Sequence, residues 1–318
     1  MISVIIPTYN RSQLLRRAIN SVLAQRDVDI EVIVVNDNIE DKSVLNIISE
    51  LNDNRIRYSP NLRTKGGNGA RNTGIILSRG RFIAFLDDDD EWMPDKLKLQ
   101  MECLDKPNAE YGGVYCGYVI ELHGKWMIKN AHKKGDLSYD FLTGNFEFGA
   151  SSTLVFRKDV LDKIGLLDET LLRNQDCELL IRFFRHYKLG CVCDVLVRVH
   201  GHNHPQNSHL YETSKLMYLD KIEESIRAQP LKKQQHIYAF QYRELAVAYG
   251  MYHNSNKLRF YLKKSLSYKL LPLTSYICLL LYVFRDITGI NLNSPLDKLK
   301  YMILNQTNSK SNRVRLPR

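Results

Sequence analysis

Apolar runs without polar alternation, separated by helix-like stretches, constrain this chain more than any other feature. "SVIIPTY", "EVIVVND" and "RFIAFLD" each read as a strand buried on both faces, because a half-exposed strand would alternate apolar with polar residues. Between the first two, Leu14, Leu15, Ala18, Ile19, Val22 and Leu23 fall on one helix face. Asn10, with Gln13 three residues on, makes a capping-box pattern for that helix, and Pro7 is expected to stop the strand before it. A second helix runs to about Leu51, "RIRYS" is a short third strand, and "NLRTKGGNGARNTG" is a glycine-rich loop opening a third helix. Pro94 suits the first turn of a fourth, whose Met93, Leu97, Met101 and Leu104 share a face. Repeated strand–helix units of this kind imply a mostly parallel sheet with helices on both faces. Ligands of such sheets sit beyond the carboxyl ends of the strands. Asp37 and residues 87–90 both fall at that edge.

Residues 111–156 are more irregular and β-like. A helix carrying Leu179, Leu180, Phe183, Phe184 and Tyr187 begins near Asp176 and is expected to stop at Gly190, and "CVCDVLVRVH" is a last strand. After Pro205 the chain turns helical, and residues 237–268 resemble an antiparallel helix pair of tetratricopeptide type. The apolar run "LLPLTSYICLLLYVF", interrupted by Pro272, is shorter than the roughly 20 residues that cross a bilayer. It reads as a core or interfacial helix, and the polar tail from Asn305 as loose. The organisation expected is therefore an α/β domain over residues 1–204 and a basic helical module over 205–318.

The net charge of +10 is unevenly placed, with 18 Lys/Arg against 7 Asp/Glu from Pro205 onward. Nucleic acid, an anionic membrane surface or a merely solvated helical face would each accommodate that surplus. "MISVIIPTYN" has neither a basic leader nor a cleavage site, so no secretory signal is expected. Six cysteines, single apart from Cys191 and Cys193, suit reduced thiols in a cytoplasmic protein. Cys191 and Cys193 followed by His200, His202 and His204 raise a zinc site, but a Cys-x-Cys on a strand lacks the usual paired spacing.

Asp87, Asp88, Asp89 and Asp90 pose a physical problem, since adjacent carboxylates at about 4 Å repel by roughly 1 kcal/mol in water and more near a protein surface. A hard divalent cation, Mn²⁺ or Mg²⁺, would remove the repulsion. A solvated acidic turn is the alternative. Gly66, Gly67 and Gly69 followed by Arg71 and Asn72 read either as a phosphate-approaching loop or as an ordinary helix start. Asp176 reads either as a general base or as a helix-start residue.

The stretches "SVIIPTYNR", "SVLAQ", "EVIVVND", "GARNTGIILSRGRFIAFLDDDDEW" and "NQDCELLIRFF", in this order, resemble the family-2 glycosyltransferases of GT-A fold over about the first 200 residues. The resemblance implies a Rossmann-like, mostly parallel mixed sheet and inverting transfer from a nucleoside-diphosphate sugar, UDP by family frequency. It implies nucleotide contacts at Pro7, Thr8, Tyr9, Arg11, Asp37, Gly67, Arg71, Asn72, Asp87 and Asp88. Asp87 and Asp89 match the metal-binding D-x-D, His200 is the match for a metal or diphosphate ligand, and Asp176 is the match for the catalytic base. Asp90, Gln175, Glu178 and Arg182 take supporting or acceptor-side places. Two positions depart from the family pattern, Asn36 where an acid is common and Gln175 ahead of Asp176.

A saccharide or lipid-linked saccharide acceptor in surface polysaccharide assembly follows by the same route, as does a peripheral place at the cytoplasmic face of a membrane. Nucleic acid is then not expected, and self-association stays open. Two other function classes use similar residues: a metal-dependent nucleotidyltransferase, which would release pyrophosphate and need no Asp176, and a non-catalytic nucleotide-sugar-binding scaffold.

Overall fold

The apolar runs form the centre of a nine-stranded mixed sheet among the described residues. The computed structural model describes residues 1–106, 110–122, 125–146, 148–200 and 208–288. In chain order the first half runs β1 (Ile2–Thr8), α1 (Ser12–Leu23), β2 (Ile30–Asn36), α2 (Ser43–Leu51), β3 (Ile56–Pro60), α3 (Gly67–Leu77), β4 (Phe82–Phe85), β5 (Glu91–Trp92) and α4 (Lys96–Leu104). There follow β6 (Tyr111–Leu122), β7 (Lys125–Lys129), α5 (Ser138–Leu142), β8 (Val155–Arg157), α6 (Lys158–Ile164), α7 (Gln175–Phe184) and β9 (Lys188–His200). The described remainder is helical: α8 (Ser208–Lys221), α9 (Glu223–Arg227), α10 (Leu231–Met251), α11 (Ser255–Tyr268) and α12 (Ile277–Thr288).

Strand order is β3-β2-β1-β4-β8-β6-β9-β5, with β7 beside β6. Strands β3, β2, β1 and β4 are mutually parallel, while β8 runs antiparallel to both β4 and β6. The residues of β1 and β2 alternate between two layers of core. Val4, Ile6, Val32 and Val34 pack with Leu15, Ile19 and Val22 of α1, whereas Ile5, Ile33 and Val35 pack with Ala70 and Ile75 of α3. Burial on both faces is why these strands show no polar alternation.

By contact pattern, Met1–Phe141, Asn145–Pro205 and Ser214–Ser225 form one compact unit. Leu142–Gly144, Gln206–Thr213 and the chain from Ile226 form a second, so Ser214–Ser225 groups with the first unit although it lies beyond residue 204. In the second unit the rings of α10 and α11 stack in antiparallel order, Tyr249 on Tyr261 at 5.8 Å and Tyr238 on Tyr268 at 5.0 Å. The buried carboxylate of Glu212 accepts hydrogen bonds from Tyr249 and Tyr261 and, at 2.8 Å, from Lys257. No described helix is long and apolar enough to cross a membrane.

Several local expectations are corrected. β1 continues through Pro7 to Thr8, because β4 pairs only as far as Ile5 and one side of β1 is already open where the proline lacks its N–H. The Asn10–Gln13 capping box does not form: α1 starts at Ser12, and Asn10 takes φ 55°, outside the extended region an N-cap needs. Gly67 and Gly69 lie in the first turn of α3, and Pro94 precedes α4 by two residues. Helix α7 ends at Phe184, so Tyr187 lies outside it and Gly190 is inside β9. The expected loose tail from Asn305, with His202 and His204, lies outside the described residues.

Lys96 is fully buried, its Nζ 2.8 Å from Gln100 Oε1 and 3.8 Å above the Trp92 ring. Burial pushes its amine down to about 8. The folded state therefore binds this proton less well than the unfolded chain, and stability from this residue rises as pH climbs between the two values. Comparing Lys96→Met with wild type by urea unfolding, we expect the balance to move toward wild type by about 2 kcal/mol between about pH 7 and pH 10. An unchanged difference would mean the amine is already neutral, or hydrated.

Candidate active site

Strands β1, β2 and β4 end side by side, and their carboxyl ends border a cleft of about 300 Å³. Pro7, Thr8, Tyr9 and Arg11 line it from the turn after β1, Asp37 from the end of β2, and Gly67 and Arg71 from α3. Asp87, Asp88 and Asp89, just past β4, complete the wall. Ten of the residues expected from sequence thus meet in one place.

Arginines answer part of the charge problem. Arg11 Nη1 donates to Asp89 at 2.6 Å and to Asp88 at 3.3 Å, Arg17 Nη2 donates to the Asp89 carbonyl at 2.6 Å, and Arg71 pairs with Asp87. Thr8 Oγ1 donates to Asp88 at 2.8 Å. The neutralisation is incomplete. Burial, with Asp89 and Asp87 nearby, pushes the Asp88 carboxyl up to about 6. Burial, then the charges of Asp87 and Asp89, pushes Asp90 up to about 8 despite Ser152 Oγ donating to it at 2.6 Å.

Carboxylate oxygens of Asp87, Asp89 and Asp90 lie within 4.8 Å of one another. A hard divalent ion fits that donor set, and it would relieve the strain that burial and repulsion place on Asp90. Asp90, expected only in support, is therefore inside the candidate metal group. His200 is not: its Nε2 lies 2.8 Å from Glu91 Oε1 and its ring stands edge-on to Trp126, while its backbone N–H donates to Asp90 at 3.2 Å. The antiparallel pairing of Arg198 with Glu91 brings the His200 backbone beside the acidic turn, while the ring itself is held by Glu91. Cys191 and Cys193 lie on β9, and no described group of His, Cys, Asp and Glu other than the aspartates has metal-ligand geometry.

The entrance to α3 is tied to Asp37, whose carboxylate accepts from Gly66 N at 2.9 Å and Asn61 Nδ2 at 2.6 Å. Gly66 sits at φ 125°, which favours glycine. A Cβ on Gly69 would stand 1.8 Å from the Thr64 carbonyl oxygen, so only glycine lets the loop close onto the helix. Tyr9, 45% exposed, carries the Lys65 ammonium 5.2 Å from its ring centre and leaves a flat surface at the cleft.

Asp176 lies in the first turn of α7, its Oδ1 accepting the Cys177 N–H at 2.9 Å. Burial raises its carboxyl above the ordinary range, Asp87 adds to the rise, and the charge of Arg71 opposes both. Arg71 is thus shared electrostatically between the acidic turn and Asp176. It is 9% exposed, and its Nε has no acceptor among the described residues, an orphan donor that an anionic ligand would satisfy.

Asn72, Glu178 and Arg182 do not line the cleft, and neither do Asp90, Gln175, Asp176 and His200. Asn72 is fully buried, its amide donating to Leu167 O and Glu169 and accepting from Leu167 N. Glu178 and Arg182 form an ion pair, and Arg182 also donates to the carbonyls of Ile164, Gly165 and Leu166. Both tasks hold the segment leading into α7. Gln175 Oε1 is buried and has no hydrogen-bond partner among the described residues.

Sequence reasoning missed Arg17, Ser152 and Ser151, whose Oγ donates to Asp87 at 3.3 Å. Arg17 follows Arg11 by under two helical turns, a signal that was available. The serines come from a single 3₁₀ turn, Ser151–Thr153, and no local pattern marks it.

The chain matches the model of "Glycosyl transferase family 2" over residues 3–165, about half its length. It is 38% identical over 169 residues to the GalNAc(5)-diNAcBac-PP-undecaprenol beta-1,3-glucosyltransferase of Campylobacter jejuni, covering 51% of this chain and 53% of that one. It is 38% identical over 157 residues to the UDP-Glc:alpha-D-GlcNAc-diphosphoundecaprenol beta-1,3-glucosyltransferase WfgD of Escherichia coli, covering 49% and 60%. Even for an uncharacterized glycosyltransferase of Rickettsia prowazekii, the matched region spans 64% of the relative's length. Two solved structures share the fold. S. aureus TarS 1–349 with UDP-GlcNAc has a TM-score of 0.56 at 15% identity, covering 85% of this chain and 93% of that one. The mannosyltransferase PcManGT of Pyrobaculum calidifontis with GDP-Man and Mn²⁺ has 0.58 at 16%, covering 98% and 88%. With the family model matched over residues 3–165 and a GT-A sheet, the chain belongs to glycosyl transferase family 2.

Proposed function

We propose that this protein is an inverting glycosyltransferase, moving a sugar from a UDP-linked donor to a lipid-linked saccharide acceptor in surface-polysaccharide or glycan assembly. The observation that carries the reading is Arg71, which pairs with Asp87 while its charge also acts on the carboxylate of Asp176. Residues 1–204 supply the catalytic domain and residues 205–318 the basic helical module.

Tyr9 stacks the base, and Asp37 binds base or ribose while also holding the α3 entrance. Pro7, Thr8 and Arg11 shape the nucleoside side, and Asp87 and Asp88 approach the ribose. Gly67 allows close backbone approach, and Arg71 turns its unused Nε to the diphosphate. Asp89 and Asp87, with Asp90 behind them, would hold Mn²⁺ or Mg²⁺. When bound, that ion supplies positive charge opposite a leaving diphosphate. Asp176 accepts the proton of the acceptor hydroxyl as its oxygen attacks the anomeric carbon in a single in-line displacement.

Support for the donor comes from the UDP-sugars named for WfgD and TarS. Support for the acceptor comes from the diphosphoundecaprenol-linked saccharides named for two relatives. A cytoplasmic, membrane-peripheral location follows from such an acceptor. Neither the nucleotidyltransferase nor the scaffold alternative gains an observation of its own.

A screen of UDP- and GDP-sugars with Mn²⁺ tests the reading. We expect release of a nucleoside diphosphate from one donor, abolished by chelation. Release of pyrophosphate from a nucleoside triphosphate instead would overturn it.

A further inference from the structure

Residues 255–284 hold five cations, Lys257, Arg259, Lys263, Lys264 and Lys269, and not one Asp or Glu. The chain as a whole has 35 acids in 318 residues, so average composition does not account for an acid-free run this long. The structure distinguishes its inner side from its outer one. On α11, Leu258, Tyr261 and Ser265 are buried, with Ser265 Oγ donating to the Ala239 carbonyl of α10 at 2.7 Å. Arg259, Phe260, Lys263 and Leu266 are exposed, and spacings of three and four put Arg259, Lys263 and Leu266 in one row. Beyond the helix, Leu270 is 67% and Leu273 78% exposed. Leu280 and Phe284 of α12, four residues apart, are exposed as well.

Along the outer row of α11 and the segment after it, large exposed apolar side chains mix with cations in an acid-free run, the composition of an interaction surface. We propose that the exposed row of α11, with the exposed leucines that follow it, docks on an anionic phospholipid bilayer. The leucines and Phe260 enter the boundary between headgroups and acyl chains, while Arg259, Lys263 and Lys269 meet lipid phosphates. A nucleic acid would use the cations and leave the leucines uncovered. A second copy of the chain would bring one acid-free basic face against another. The inference deepens the lipid-linked-acceptor reading and rests on it for its purpose, since docking brings the enzyme to the surface where such an acceptor resides.

The test is sedimentation of the full chain with phosphatidylcholine vesicles and with phosphatidylglycerol-rich vesicles. We expect at least about tenfold tighter partition to the anionic vesicles, weakening as salt rises. Lys263→Glu with Lys269→Glu should lose about tenfold or more of that binding. Leu270→Ser with Leu273→Ser should lose the part that survives high salt. Circular dichroism and donor turnover in solution serve as controls and should match wild type in both variants. Equal binding to the two vesicle types overturns the proposal, as does wild-type binding by both variants. A change in oligomeric mass without vesicle binding also overturns it, in favour of a protein partner. Anionic-vesicle binding by a protein that turns over no nucleotide sugar supports the docking face and removes the glycosyl-transfer reading.

Discussion

Asp176→Asn is expected to lower kcat for glycosyl transfer by about 10²–10⁴, the usual contribution of a positioned general base, with little change in donor KM. The substitution keeps the side-chain shape and the oxygen that accepts the Cys177 N–H, so a folding defect is not expected. Because burial raises this carboxyl while Arg71 pulls it back, the acid limb of the kcat profile should lie above the ordinary carboxylate range. A base works only when ionised, so activity falls as pH drops through that raised value. Arg71→Met removes the opposing charge and should move the limb further upward. If Asp176→Asn retains wild-type kcat at saturating donor and acceptor, the base lies elsewhere.

Asp89→Ala is expected to weaken Mn²⁺ binding in the presence of UDP by more than about 100-fold, since loss of a group merely supporting a ligand already costs about 10–100-fold. Calorimetry measures it directly. A linked effect appears in thermal stability. Asp88 and Asp90 have folded values raised to about 6 and about 8, so the stability they confer is complete at low pH and is lost as pH rises through those values. Mn²⁺ removes the repulsion, so the rise in Tm it produces in wild type should be larger at about pH 8 than at about pH 6. In Asp89→Ala that metal-dependent rise should shrink at both. A wild-type protein whose Tm ignores Mn²⁺ with UDP present would remove the metal from the account.

Comparison of sequence with structure separates two kinds of residue. The polypeptide turn after β1, the acid after β2 and the aspartates after β4 are legible, because a buried strand must end at the sheet edge and its next residues have one place to go. Asn72, Glu178 and Arg182 sit within equally legible helices, yet their side chains serve the loop into α7. A helix face in sequence does not say which neighbour occupies the space opposite. Asn10 fails as a cap for a related reason: its left-handed turn is imposed by how the chain leaves β1, and no local propensity records that. His200 ends its strand as expected, but pairing with β5 sets its ring against Glu91.

Local patterning determined the alternation of strand and helix, the edge at which a ligand would bind and the acids gathered there, since periodicity and strand ends are properties of neighbouring residues. Tertiary structure alone decided that Arg11, Arg17 and Arg71 partly neutralise those acids, that Asp90 joins the metal-capable group, and that Arg71 couples them to Asp176 across about 100 positions of chain. Charge balance at a buried site is a sum over everything packed around it, and that sum exists only after the chain has closed.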